Sequence, residues 1–169
     1  MYLRTVRRSQ NKGLILLLPW FCFLFVTGAC HTTKKAMETY GETSVKQLAT
    51  FPDCHWIDHK PELSDTSALE KLKAQDWTNY SFRVYLGCWC SDSEHLIPIF
   101  RSLCDAAHIP ETRVRYFNLD LDKVSPSGIE KQDRIEYLPT IIVLKNGKET
   151  GRIVETVKED LASELLLIL

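Results

Sequence analysis

Gly87-Cys88-Trp89-Cys90-Ser91-Asp92-Ser93 follows the apolar run Phe82-Arg83-Val84-Tyr85-Leu86 and opens an amphipathic stretch that continues to about Ala107. The run reads as a central strand buried on both faces. The stretch reads as a helix with Leu96, Phe100, Leu103 and Ala107 on one stripe and Cys104 adjoining it. A cysteine held where a strand stops and a helix begins faces unpaired N–H groups and the positive end of the helix dipole, which favour thiolate over thiol. Cys90 is therefore the candidate reactive atom, whereas Cys104 reads as a small buried apolar residue.

Outward from this junction, Ser67-Ala68-Leu69-Glu70 fits a capping box, Ser67 at N-cap, for a helix running to about Gln75. Val114 to Leu119 reads as another strand, Ser125-Pro126-Ser127-Gly128 as a turn, and Ile129 to Glu136 as a short helix. Strands Thr140 to Leu144 and Thr150 to Val154 flank Asn146-Gly147, a dipeptide suited to the positive φ angles of a type I′ hairpin. A last helix, about Val157 to Ile168, turns Leu161, Leu165 and Ile168 inward. This order predicts an α/β domain, a mixed central β-sheet flanked by helices on both faces.

Trp89-Cys90-x-x-Ser93 resembles the Trp-Cys-x-x-Cys active-site turn of the thioredoxin superfamily, with serine in place of the second cysteine. Pro98 falls where thioredoxins carry the proline of the active-site helix, and Val114 to Asp120 resembles their third-strand segment. Tyr137-Leu138-Pro139-Thr140 through Lys148 resembles their cis-proline, strand, tight turn and next strand. The resemblance spans about residues 66 to 169 and implies a thioredoxin-like fold. It also implies that Cys90 attacks a substrate disulfide, that Trp89 shields the site, and that Leu138-Pro139 meets an extended substrate strand. Ser93 is not nucleophilic enough to resolve a mixed disulfide, so Cys88 is the neighbouring thiol for that step, unless it pairs with Cys54 or stays free. Asp92 opposes thiolate formation, while the Ser93 hydroxyl is a donor to it. Val84 stands where many thioredoxins bury a carboxylate.

The chain opens with Arg4, Arg7, Arg8 and Lys12, then a short apolar core from Leu14 to Val26, the pattern of a secretory signal. Thr27-Gly28-Ala29-Cys30 resembles a bacterial lipobox, which implies residues 1–29 as a lipoprotein signal, lipidation of Cys30, and a place in the bacterial cell envelope or periplasm, anchored to a membrane. An ordinary cleaved signal is the alternative. Residues 30–60 read as a tether and irregular extension, and 61–169 as the thioredoxin-like domain. Without the four basic residues of the signal, the 21 Lys+Arg fall to 17 against 22 Asp+Glu, a formal charge of −5 that argues against nucleic acid as a partner. Of six cysteines, setting aside Cys22 and Cys30 leaves Cys54, Cys88, Cys90 and Cys104, which allow three full pairings.

The chemistry points first to a thiol–disulfide oxidoreductase acting on protein thiols and disulfides, with no cofactor. A rival is a thioredoxin-fold module that binds extended peptides or captures a thiol without redox turnover. A third reading is a copper or zinc carrier using Cys88, Cys90 and His95.

Overall fold

The computed structural model describes residues 39–63, 66–158 and 160–169. The signal segment and Cys30 lie outside the described residues. The apolar run becomes strand β2 (Tyr80–Leu86), flanked by β1 (Gly41–Thr43), β3 (Val114–Asn118), β4 (Thr140–Lys145) and β5 (Lys148–Val154). These form one mixed five-stranded sheet in the order β1-β3-β2-β4-β5. β2 lies parallel to β3, with Leu86 opposite Asn118, and antiparallel to β4, with Tyr85 opposite Thr140. The β4–β5 turn is the expected hairpin, Asn146 at φ 52° and Gly147 at φ 76°, a conformation that glycine adopts without a Cβ clash.

Alternation along the central strand divides the core in two. Phe82, Val84 and Leu86 point to one face, where they join Ile141, Val143 and Ile153. That face is covered by helix α2 (Thr66–Lys73), the long helix α3 (Ser91–Ala106) and α5 (Leu161–Ile168), through Leu72, Leu96, Phe100, Leu103, Leu161 and Leu165. Each of these side chains is at most 3 % exposed, so truncating one to alanine costs about 2–5 kcal/mol. Tyr85 points to the other face with Phe117, Leu119, Leu138, Ile142 and Leu144. A single helical turn, α4 (Ile129–Gln132), and the loops beside it cover that side through Ile129 and Ile135. Helices thus lie on both faces, but unequally.

Three expectations are corrected. Residues 41–58 are not an irregular extension separate from a domain beginning at 61. β1 adds an antiparallel edge to β3, and α1 (Val45–Leu48) and a 3₁₀ segment (Pro52–Asp58) bury Leu48, Cys54, Trp56 and Ile57 in the main core. A three-residue strand carries too little alternation to be read from sequence. Arg101 of α3 fastens the 3₁₀ segment by donating to the Ile57 carbonyl. Second, α2 begins at Thr66, so Ser67 lies in its first turn and is not the N-cap. The last helix is shorter than expected, capped by Asp160, whose carboxylate accepts from the Ser163 N–H at 2.9 Å.

Beside the lesser core, Asp133 is fully engaged. Asp133 takes two hydrogen bonds from Arg83 Nη1 at 2.7 and 2.8 Å and one from the Tyr85 hydroxyl at 2.5 Å. Burial, and next the Asp133 carboxylate, push the Tyr85 phenol up. Burial likewise pushes up the Cys104 thiol and the Tyr116 phenol. In all three the neutral form is the one the fold accepts. Their stabilisation is fully present below the unfolded values, about 8.5 for cysteine and 10 for tyrosine, and is lost as pH rises towards the folded ones. The unfolding free energy should therefore decline above about pH 8.5, by up to about 1.4 kcal/mol per pH unit for each group ionised only in the unfolded chain. Cys104→Ala should delay the onset towards pH 10. Urea titrations from pH 7 to 11 check this, and identical pH profiles for the two proteins would contradict the Cys104 assignment.

Candidate functional site

The chain leaves β2 at Gly87 and turns at once, the Cys90 N–H donating to the Gly87 carbonyl at 2.9 Å. Cys90 is the N-cap residue of α3, in extended backbone, and its carbonyl accepts the first helical bond from Glu94 at 3.0 Å. The strand-to-helix junction expected for this cysteine is thus present. Cys90 is partly exposed, and its sulfur donates to the Leu138 carbonyl at 3.5 Å. The Leu138–Pro139 peptide bond is cis, as the resemblance implied. Leu138 presents only its backbone here, because its side chain is buried in the lesser core with Tyr85.

The other expected site residues take up different roles. Ser93 is fully buried, and its hydroxyl accepts from the Gly87 N–H at 3.2 Å, so it braces the turn. Cys88 is joined to Cys54 by a disulfide with Cα atoms 4.7 Å apart. In this state it is neither a free thiol nor closed in a ring with Cys90, and among the described residues Cys90 and Cys104 are the free cysteines. Trp89 lies half-exposed over the turn and donates from its indole N–H to the Leu119 carbonyl at 3.0 Å. Gly87 permits this, since a Cβ there would sit 2.8 Å from the Trp89 ring. Val84 is wholly buried opposite Tyr116 and Ile141, with no carboxylate at that place. Pro98 is buried inside α3.

Cys88, Cys90 and His95 are not gathered. The Cys88 sulfur is committed to Cys54, and His95 is exposed, lining a separate cavity with Pro61, Leu63 and Leu161. Five residues of helix rotate His95 well away from Cys90. Among the described residues no group of three His, Cys, Asp or Glu side chains is placed to hold a metal.

Sequence reasoning missed several contributors. Asn118, fully buried, accepts from the Cys88 N–H at 3.1 Å and donates to the Thr39 carbonyl at 2.8 Å. The Trp56 indole donates to the Cys88 carbonyl at 3.3 Å. Leu121 and Tyr137 are exposed large apolar residues flanking the site. Leu121 shares a cavity of about 540 Å³ with Trp89, Cys88, Phe51 and Tyr40. Lys123 links the two loops, donating to the Glu136 carbonyl at 2.8 Å and lying over the Tyr137 ring. No local pattern announces any of these, because each acts through a partner distant in sequence.

The family profile of Thioredoxin matches residues 83–166, which span the turn, the cis-proline and the hairpin. The chain has the thioredoxin fold. Thioredoxin H5 of Arabidopsis thaliana is 22 % identical over 114 residues, 67 % of this chain and 85 % of that one. Thioredoxin H2-2 of Oryza sativa subsp. japonica is 29 % identical over 73 residues, 43 % of this chain and 50 % of that one. The oxidised crystal structure of thioredoxin O2 from Arabidopsis thaliana is 24 % identical, with a TM-score of 0.39, covering 60 % of this chain and 80 % of the other.

Within this thioredoxin-like domain, Gly87 and Trp89 make a paired requirement. Gly87→Ala forces the indole to move, at a cost of about 1–3 kcal/mol. The expected result is faster hydrogen exchange at the Trp89 indole N–H with the fold retained, read by NMR. Unchanged exchange would mean that the turn absorbs a Cβ without losing the Leu119 contact.

Proposed function

We propose that the chain is an exported thiol–disulfide oxidoreductase that acts on protein disulfides through Cys90. One observation carries the reading: a partly exposed cysteine caps α3 with its sulfur 3.5 Å from the carbonyl of the cis Leu138–Pro139 pair. A substrate disulfide lying along that pair meets the sulfur at the N-terminal end of the helix, whose dipole favours the negative charge that develops there. Substrate backbone displaces the Cys90 contact with Leu138. Trp89, Leu121 and Tyr137 supply an exposed apolar rim for the flanking residues of a protein substrate. In the proposed reaction the Cys90 thiolate attacks one substrate sulfur, a mixed disulfide forms, and the other sulfur leaves as a thiolate.

A second reading has one observation in its favour. Ser93 is sealed in the core and bonded to Gly87, so no thiol stands at the usual resolving position. A module that captures thiols or binds extended peptides needs none. Insulin-disulfide reduction separates the two. Cys90→Ala should fall to the uncatalysed rate, and Ser93→Cys, which restores a thiol one helical turn from Cys90, should raise turnover about tenfold or more. No activity in any of the three proteins, with peptide binding unchanged in Cys90→Ala, would leave the binding module standing.

The cellular setting belongs to the same proposal. Four basic residues, a short apolar core and Thr27-Gly28-Ala29-Cys30 support export with cleavage before Cys30, its acylation, and an anchor in the bacterial cell envelope. Among the described residues no helix is long and apolar enough to cross a membrane. The mature protein should carry a lipid increment at Cys30 by intact mass. A mature mass without lipid would remove the anchor.

A further inference from the structure

Resting on the reading that Cys90 exchanges disulfides, we propose that Cys54 and Cys88 are the two-electron store behind it, with Cys54 as the terminal resolving residue. The state with Cys54–Cys88 closed and Cys90 free is then the oxidised end of a relay, and not only a staple.

Three observations converge on this. Cys88 stands two residues before the candidate nucleophile, in the same tight turn. Its backbone is already fixed on both sides, N–H to Asn118 and C=O from Trp56, so its place beside Cys90 does not depend on the disulfide. The two residues also differ in access. Cys88 is 9 % exposed and lines the 540 Å³ cavity beside Trp89, whereas Cys54 is wholly buried among core residues. A partner in solvent reaches the pair only from the Cys88 side, which suits Cys54 to receive or release electrons through Cys88 and never to meet substrate. Ser93 leaves this as the route to a second thiol.

The steps balance as follows. In the reduced protein the Cys90 thiolate attacks a substrate disulfide, forming a Cys90–substrate bond and releasing one substrate thiolate, which takes a proton. The Cys88 thiolate attacks the Cys90 sulfur, forming Cys88–Cys90 and releasing the second substrate thiolate. The Cys54 thiolate attacks the Cys88 sulfur, forming Cys54–Cys88 and returning Cys90 as thiolate. Two protein thiols are oxidised and one substrate disulfide is reduced, while Cys90 ends as it began. A dithiol reductant, entering at Cys88 or Cys90, restores the store.

The purified full chain is reduced with dithiothreitol, freed of it, and mixed with one equivalent of a peptide closed by a single disulfide. Products are quenched, alkylated and mapped by peptide mass, which keeps Cys22 and Cys30 distinct. Wild type should yield the dithiol peptide, a closed Cys54–Cys88 and an alkylatable Cys90. Cys90→Ser should close Cys54–Cys88 at least about tenfold more slowly. Cys54→Ser should accumulate Cys88–Cys90 or the Cys90–peptide adduct. The wild-type and Cys90→Ser arms decide the matter even where Cys54→Ser does not fold. Equal closure in Cys90→Ser, a Cys54–Cys88 bond that dithiothreitol cannot open in the folded protein, or wild type halted at the Cys90–peptide adduct with both other thiols free, would each overturn the relay. The last leaves exchange through Cys90 intact. No adduct at Cys90 and no reduced peptide would bring down both.

Discussion

The carboxamide of Asn118 holds the site together. Beyond Leu86 the chain leaves the sheet, and the backbone groups of Cys88 lose their ladder partners inside a packed interior. A buried N–H or C=O left unpaired costs about 1–3 kcal/mol, so the turn exists only if side chains take the place of a strand. Asn118, at the end of β3, offers an acceptor to Cys88 and a donor to Thr39, and Trp56 supplies the donor for the Cys88 carbonyl. β3, the turn and the residues ahead of β1 are thereby coupled through one amide. The parallel register that sets Leu86 opposite Asn118 brings that amide to the turn.

This coupling explains why the segment before residue 61 cannot be peeled from the domain. Trp56 reaches the turn through its indole and Cys54 reaches it through its sulfur, while Leu48 and Ile57 fill the space between them and α3. The edge strand β1 then covers β3, so that β3 has neighbours on both sides. Arg115 of β3 and Glu42 of β1 add a paired contact at 2.6 and 2.7 Å on the exposed side, where its contribution is small.

What could be read from the chain was local. Trp89-Cys90 and Leu138-Pro139 are legible as short motifs although the partners they meet, Leu119 and one another, lie far along the chain; Asn146-Gly147 needs only its own turn, and the alternation of Phe82, Val84 and Leu86 against Tyr85 needs only the two-residue period of a strand. What could not be read depends on distant partners. The bond between Cys54 and Cys88 spans 34 residues, and four cysteines offer no internal reason to choose it. Asn118 looks like any asparagine at a strand end until β2 is set beside it. Ser67 illustrates the converse failure: the local motif is present, but Thr66 before it is already helical.

Two departures from the thioredoxin pattern make sense as one. A buried carboxylate under a Cys-x-x-Cys turn serves to take the proton from the second thiol as it attacks. Here a serine, Ser93, stands in that thiol's place, its hydroxyl accepting from Gly87, so there is no thiol proton to move. A charge at position 84 would lie under α3 between Tyr116 and Ile141, at an effective cost of several kcal/mol with no partner to offset it. Valine at that place contributes packing instead. Among the described residues, Asp133 on the opposite face is matched by Arg83 and Tyr85, while buried Glu130 accepts from Ser125 at 2.6 Å through one oxygen and leaves the other unpaired. Losing the second cysteine removes the reason for the carboxylate. In the proposed relay the proton released in resolution is handled on the Cys88 side of the turn, beside the cavity lined by Trp89 and Leu121.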